Sequence, residues 1–520
     1  MMCLPISNEG KGFMKNRVMM KKTFVLLTGG ALLLAGCQAG APSADKPAAA
    51  PISAEKKSEP LKISLLLKYF STEPPTKAAE AFKVVEDYTH TKLDIIWAPS
   101  PSYDEKVNTT LASGNVPQVL LVSRDRADNI VAAVKSGAFW EIGPYLKNYP
   151  NISKAVGDIR LYNVSQNGKV YGIPSARDLS ENALIYRKDW LDNLGMKPPT
   201  TVDELYAMMK AFTQKDPDKN GKDDTFGVIE NDGSGIFNQI KVWMGGPNGW
   251  SIKNGKLVPE FMSDEYKQAM DFMRKLYQEK LINQDFPVTK QNQMLDYLGK
   301  SRGGGYAGAY AQFSNGWHTP LQKANPDAKL DFIYKIKSSD GKYYKQAGGG
   351  YNGVFMFPKS SVKSEAALKE ILDFFEKLAD DKMRTLIKLG IEGKHYKMDN
   401  GKPVIINPEL FSDEVIPLRW IMVADGITDR TAVGLTPLDE RITKAQEDKE
   451  ITYTSNPAFP FTSKLIVDDK IIEDARTKYI LGEIDDNGWK ASIEKWRTNR
   501  GDQLIEEYQK QYDSAQANRK

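Results

Sequence analysis

Leu61-Lys62-Ile63-Ser64-Leu65-Leu66-Leu67 is a nearly continuous apolar run of strand length, and the two runs that follow it decide the fold. A helical pattern from Lys77 to Tyr88 separates it from a second strand, Leu93 to Trp97. Tyr103 to Ser113 then reads as a helix, Gly114 to Pro117 as a break, and Gln118 to Val122 as a third strand. Strand, helix, strand, helix, strand with apolar strands predicts a parallel, doubly wound sheet. In such sheets ligands sit beyond the carboxyl ends of the strands. Those ends are Lys68-Tyr69-Phe70, Ala98-Pro99-Ser100 and Ser123-Arg124-Asp125.

Further along, Ala183 to Arg187 reads as a strand, and Thr201-Val202-Asp203-Glu204 has the spacing of a capping box. Apolar residues recur every three to four positions from Asp264 to Leu281 and from Glu365 to Lys382, which predicts core-facing helices. From Cys37 onward the chain has 484 residues. Single cores stop growing at roughly 250–300 residues, so two lobes are expected.

The N-terminus addresses location. Lys15, Arg17, Lys21 and Lys22 precede an apolar run of 12 residues, Phe24 to Ala35, that leads into Gly36 and Cys37. This is the layout of a secretory signal, and it falls short of the roughly 20 residues that span a bilayer. Residues 1–36 read as that signal, with Met14, Met19 and Met20 open as alternative starts. Leu34-Ala35-Gly36-Cys37 resembles the bacterial lipobox, which implies that Cys37 is acylated and becomes the new N-terminus. Cys3 lies upstream in the removed segment, so no disulfide framework is available. Residues 37–60, rich in Ala, Pro and Ser, read as a flexible tether. The formal charge of +4 resides in residues 1–36, and the remainder is neutral, so charge gives no argument for nucleic acid.

Asn167-Gly-Lys-Val-Tyr-Gly-Ile-Pro174, Ile185-Tyr-Arg-Lys-Asp-Trp-Leu191 and Gly348-Gly-Gly-Tyr-Asn-Gly-Val-Phe-Met-Phe-Pro358 resemble segments of the carbohydrate-binding lipoproteins of ABC importers. These are family 1 solute-binding proteins, and the sub-group most similar includes the alginate-binding receptors. Gly137 to Leu146, Leu389 to Tyr396 and Gly488-Trp489 extend the similarity over nearly all of residues 61–512. The resemblance implies a two-lobed, periplasmic-binding-protein-like α/β fold, each lobe a doubly wound sheet, with the ligand in the interlobe cleft. It places lobe 1 at 61–175 and 353–400 and lobe 2 at 176–352 and 401–520, with crossings near Ile173–Ser180 and Gly350–Val354. It also implies a carbohydrate ligand, permease subunits as partners, a monomer, and a cell-membrane location on the extracytoplasmic face.

Asp216-Pro-Asp218-Lys-Asn220-Gly221-Lys222-Asp-Asp224 carries oxygen side chains at loop positions 1, 3, 5 and 9 and glycine at 6, the turn that wraps calcium in EF-hand loops. Asp216, Asp218, Asn220, the Lys222 carbonyl and Asp224 are the expected ligands of a structural Ca²⁺. Position 12, where an EF-hand has a bidentate Glu, is Gly227. The similar alginate receptors place a Glu at position 10, where this chain has Thr225.

Sugar sites combine aromatic platforms with polar groups that fix hydroxyls. Tyr69, Trp243, Trp317, Tyr351 and Trp420 lie beside strand ends, glycine turns or the expected crossings, and Arg124, Asp125, Arg177 and Asp178 follow a strand end or flank a crossing. Trp190, Trp489 and Trp496 fall in helical patterns and read as core. Catalysis is not expected. His90, His318 and His395 stand in unrelated contexts, and no Gly-x-Ser-x-Gly elbow is present. The alternative is a lipid-anchored polysaccharide-degrading enzyme whose carboxylates come from distant segments.

Overall fold

The structure, a computed structural model, describes residues 59–69, 74–75, 78–313, 318–423 and 437–519. Strand β1 (Leu61–Tyr69) pairs in parallel with β2 (Thr91–Pro99) along its whole length, from Leu61 opposite Thr91 to Tyr69 opposite Pro99. β3 (Val119–Val122) lies on the other side of β1, also parallel, and all four of its residues are buried. That four-residue apolar run can be buried throughout because helices cover both faces of a parallel sheet. The strand Tyr351–Met356 adds antiparallel to β3, and β4 (Gly172–Ala176) closes the sheet beyond it. The expected helix Tyr103–Ser113 is present with those bounds and ends on Gly114 in the left-handed region, φ +73°.

The first core gathers Leu65, Leu66 and Leu67 of β1, the whole of β3, and Phe355, Phe374 and Phe375. The pattern expected to be one helix from Glu365 to Lys382 is two, Glu365–Leu378 and Asp381–Leu389. The break falls at Asp380, whose side chain accepts the Met383 N–H and so starts the second helix.

The second lobe is built around β5 (Asn182–Arg187), flanked antiparallel by Gly305–Ala309 and Leu330–Ile333. Parallel pairing there comes from Tyr343–Gln346 alongside Ile451–Thr454 and from isolated bridges such as Phe226 with Gly303, Ile229 with Tyr306 and Val228 with Ile282. Trp190, Trp243, Trp489 and Trp496 pack into its core with Phe212, Phe237 and Met270. The capping box is formed: the Thr201 hydroxyl accepts the Glu204 N–H, and the Glu204 carboxylate accepts the Thr201 N–H.

Two segments run between the first sheet and the strands beyond it, 177–181 between β4 and β5, and 347–350 between Tyr343–Gln346 and Tyr351–Met356. Leu418, Ile421, Met422 and Val423 pack in the first core, whereas Ile442 and Ala445 pack beneath the second sheet. The stretch ending at Val423 therefore departs from the division that gave all of 401–520 to lobe 2. Its apolar side chains supply part of the first core, a long-range pairing that local pattern does not encode.

Candidate functional site

The carboxyl ends of β1 and β3 and the two connecting segments converge. Lys68, the penultimate residue of β1, is only 5% exposed, and its ammonium donates to the Ser123 hydroxyl at 3.0 Å and the Asn352 carbonyl at 3.0 Å. It lies 5.9 Å from the centre of the Trp420 ring. Burial, reinforced by the nearby Arg177 guanidinium, pulls the Lys68 pKa down to about 8, against a smaller upward pull from Asp104. Asp125, just past β3, is buried and accepts the Tyr351 hydroxyl at 3.2 Å. Burial pushes its carboxyl up, while Arg126 and Tyr351 hold the rise in check.

A cavity of about 310 Å³ opens between the connecting segments. Arg177, Asp178, Glu181, Gln346 and Tyr351 line it with the glycines Gly348 to Gly350. Both lobes thus contribute to one polar hollow at the strand ends where an α/β sheet binds its ligand. The Asp178 carboxylate accepts the Gln446 amide at 2.5 Å, which ties the first connection to the helix Pro437–Gln446.

Of the residues expected from sequence, the structure brings together Arg177, Tyr351 and Asp125, with Trp420 beside Lys68. Tyr69 ends β1 and is nearly buried. Arg124 is exposed and pairs with Asp104 at 3.1 Å. Trp243 is a correction: it ends the helix Gly235–Trp243 and is 1% exposed in the second core, offering no face to a ligand. The helix turns its apolar side, Ile236, Phe237, Ile240 and Trp243, into the core. Trp317 lies outside the described residues. Lys68 and Ser123 were named as strand ends and not as site residues, and Glu181, Gln346 and Asn352 were not singled out. A lysine ending an otherwise apolar run was the one usable signal, for Lys68.

The Asp216 loop is folded around its own carboxylates. Asp216 accepts the backbone N–H groups of Asn220 and Gly221 at 3.0 and 3.1 Å. The Asn220 amide donates to Asp218 at 2.9 Å and to Asp224 at 3.4 Å, while its oxygen accepts the Lys222 N–H. The Asp218 Oδ1 atom is buried with no hydrogen-bond partner. Burial and the neighbouring Asp216 and Asp224 raise the Asp218 pKa. Among the described residues, no three acidic, histidine or cysteine side chains form a ready-made metal cluster. Both departures from the EF-hand pattern have a structural cause. Thr225 is buried and its hydroxyl donates to the Phe212 carbonyl at 2.8 Å. A Cβ on Gly227 would come within 2.5 Å of the Met209 carbonyl, so position 12 cannot carry a glutamate on this backbone.

His318 and His395 are held in side-chain hydrogen bonds. The buried His318 bonds the Tyr306 hydroxyl at 2.7 Å and is pulled down to about 4 by burial. His395 accepts the Ile391 N–H on Nδ1 and meets Glu414 at 3.1 Å through Nε2.

Residues 71–383 match the model of the bacterial extracellular solute-binding protein family. The chain belongs to that family. It is 38% identical to the polygalacturonan/rhamnogalacturonan-binding protein YtcQ of Bacillus subtilis, covering 94% of this chain and 99% of the relative. Lipoprotein LipO of the same organism is 33% identical over 96% of this chain and all of its own length. The crystal structure of the alginate-binding protein AlgQ2 without calcium ion superposes with a TM-score of 0.56 at 20% identity, covering 88% of this chain and 98% of that one. The two-lobed solute-binding fold is therefore established. The family is one of binding proteins.

Proposed function

We propose that this member of the solute-binding family is the extracytoplasmic receptor of an ABC importer, and that it captures an acidic oligosaccharide between its lobes and hands it on unchanged. The cavity lined by both connecting segments carries the reading. A ligand that touches both lobes favours the closed state by its differential affinity, which gives a permease a shape to recognise. Lobe 1 would comprise 61–175, 353–400 and the stretch to Val423, and lobe 2 the rest.

The acidic character rests on charge and on kinship. Arg124 and Arg177 stand exposed on the first-lobe side with Lys68 beneath, a cationic edge suited to carboxylates. YtcQ, with which the similarity covers both chains almost entirely, is named for polygalacturonan and rhamnogalacturonan. Asp125, Asp178 and Glu181 would accept sugar hydroxyls, and Tyr69, Tyr351 and Trp420 would cover ring faces. Trp317 stays in the proposal from sequence alone.

Cys37 would carry the lipid that holds the protein at the membrane. Labelled fatty acid should enter the wild type and not Cys37→Ser, and a serine variant that stays labelled removes the anchor. Calcium would be held by Asp216, Asp218, Asn220, the Lys222 carbonyl and Asp224. The partnerless Asp218 oxygen and the raised Asp218 pKa support it, since a cation relieves the mutual repulsion of the three carboxylates. Turning the Asn220 amide over would present its oxygen. A bound Ca²⁺ supplies only fixed positive charge that organises the loop.

Titration calorimetry with trigalacturonate, followed by chromatography of the sugar after long incubation, tests the reading. Saturable binding with intact trisaccharide is expected. Shortened or unsaturated products formed at catalytic rates would instead establish a lipid-anchored polysaccharide-degrading enzyme.

A further inference from the structure

The helix Pro150–Val164 is broken at Gly157, φ +73°, and its second half carries Arg160 and Asn163 on one face. Both are nearly fully buried. The Arg160 Nε donates to the Arg177 carbonyl at 2.9 Å and to the Gly350 carbonyl at 2.8 Å. Its Nη2 reaches the same Arg177 carbonyl at 2.5 Å, and Nη1 returns to Val156 of its own helix at 2.9 Å. One guanidinium thus grips both lobe connections. The Asn163 amide adds the Gly349 carbonyl at 3.1 Å and the Gly348 carbonyl at 3.4 Å. The two segments also bond each other, Arg177 N–H to Gly350 at 2.7 Å. Gly350 has φ +74°, and a Cβ there would come within 2.9 Å of the Arg160 Cγ, so glycine lets the arginine approach this closely.

From the second lobe, anchors close in on the same segments. The Tyr310 N–H donates to the Glu181 carbonyl at 3.0 Å, and the Lys345 ammonium reaches the Ser180 carbonyl at 3.4 Å. Ala347 donates its N–H to the Thr454 carbonyl at 3.0 Å, and its own carbonyl accepts the Asn248 amide at 2.7 Å. The two segments also bond each other through the Gly348 N–H and the Leu179 carbonyl at 2.7 Å, and the Gln446 amide holds the Asp178 carboxylate between them.

We infer that Arg160, assisted by Asn163, is a positioning residue for ligand capture: it fixes the first-lobe ends of both connections and aims Arg177 and Tyr351 into the cavity. What is captured rests on the function proposed above; the clamp itself does not. Because the gripped groups are backbone carbonyls, the device depends on a planar multidentate donor, which lysine imitates in part and methionine not at all.

Hydrogen exchange in the free, full-length protein tests it without any ligand. In Arg160→Met, amides in 177–182 and 346–351 should exchange at least about tenfold faster, with β1 and β3 unchanged, since local opening no longer has to break the clamp. Arg160→Lys should fall between, and Asn163→Ala should affect 346–351 only. Unchanged exchange in both segments overturns the inference, as does acceleration spread evenly over the first lobe. Should Arg160→Met fail to fold, the lysine and Asn163 variants carry the same comparison. With trigalacturonate as probe, Arg160→Met should lose about tenfold in affinity, and in an Arg177→Ala background the same change should lose little, because both act through one side chain. Full additivity would refute the positioning of Arg177. A wild type that ignores trigalacturonate counts against the proposed ligand, and the exchange comparison still decides the clamp.

Discussion

Replacing Lys68 with methionine removes a cation that the fold holds almost out of water at the end of β1. Its pKa falls from 10.5 to about 8. At about 1.4 kcal/mol per tenfold change in protonation, the folded protein below pH 8 carries a penalty of about 3 kcal/mol for keeping this group charged. Since the folded protein gives up the proton before the unfolded chain does, unfolding takes one up between pH 8 and 10.5. The contribution of Lys68 to stability therefore rises with pH across that window. Against the penalty stand its hydrogen bonds to Ser123 and Asn352, about 1 kcal/mol each and nearly independent of pH. Lys68→Met should then be about 1 kcal/mol more stable than wild type at pH 7 and should lose about 2 kcal/mol of that comparison by pH 9.5, ending less stable. Denaturant unfolding of both proteins at pH 7, 8, 9 and 9.5 reads this, because other titrating groups cancel in the difference. A difference that stays constant from pH 7 to 9.5 refutes the reasoning: the lysine would then be as well solvated folded as unfolded.

Other outcomes follow from the same geometry. Chelation should lower the melting temperature if calcium fills the Asp216 loop, by the equivalent of about 2.7 kcal/mol when calcium had been at a hundred times its dissociation constant; Asp218→Ala should melt at the chelated value, and a melt indifferent to chelator and to added calcium removes the site. Trp243→Ala should cost about 3–5 kcal/mol of stability as a core truncation, yet leave trigalacturonate affinity within about twofold, whereas Trp420→Ala should do the reverse, as stacking platforms contribute on the order of 1 kcal/mol. Arg177→Gln should weaken trigalacturonate binding about tenfold and leave affinity for its methyl ester unchanged, since a charge-assisted bond to a carboxylate gives about 1.5–3 kcal/mol; equal losses for acid and ester would refute a charge role.

The first sheet was legible because a parallel strand buried on both faces writes an unbroken apolar run, as Val119 to Val122 does. The second was less so. Its order depends on β5 meeting Gly305–Ala309, more than a hundred residues away and glycine-rich, where side-chain pattern says little about pairing. The same holds within the site. Arg177 and Tyr351 could be placed because they flank connections marked by Pro174 and by Gly348-Gly349-Gly350. Arg160 could not, since its role lies in carbonyls brought to it from positions 17 and 190 residues away. Trp243 shows the opposite error. Proximity to Gly245-Gly246 suggested a turn at the cleft, but those glycines serve close packing: a Cβ on Gly246 would meet the Lys241 carbonyl at 2.7 Å.

Perturbed ionisable groups occur in two settings in this protein, the second core and the lobe connections. In the second core, the buried Glu230 accepts the N–H groups of Asn231, Ile236 and Phe237 at the start of a helix, and the buried Lys241 meets the Glu260 carboxylate at 2.7 Å. Each receives there the compensation a buried charge requires. Around the lobe connections two further lysines are buried. Lys68 donates to a hydroxyl and a carbonyl, and Lys345, likewise pulled down to about 8 by burial, donates to the Tyr310 hydroxyl and the Ser180 carbonyl. Burial is the largest cause of the lowered pKa of both lysines, against the upward pull of Asp104 on Lys68 and of Asp178, Asp448 and Glu181 on Lys345. An anionic ligand entering that place lowers the energy of Lys68 and Arg177 together. Binding of an acidic saccharide should accordingly drive proton uptake above pH 8, as Lys68 regains its charge. Calorimetry at pH 8.5 in two buffers of different ionisation enthalpy measures that uptake directly, and buffer-independent heats would show that the ligand's charge does not reach the end of β1.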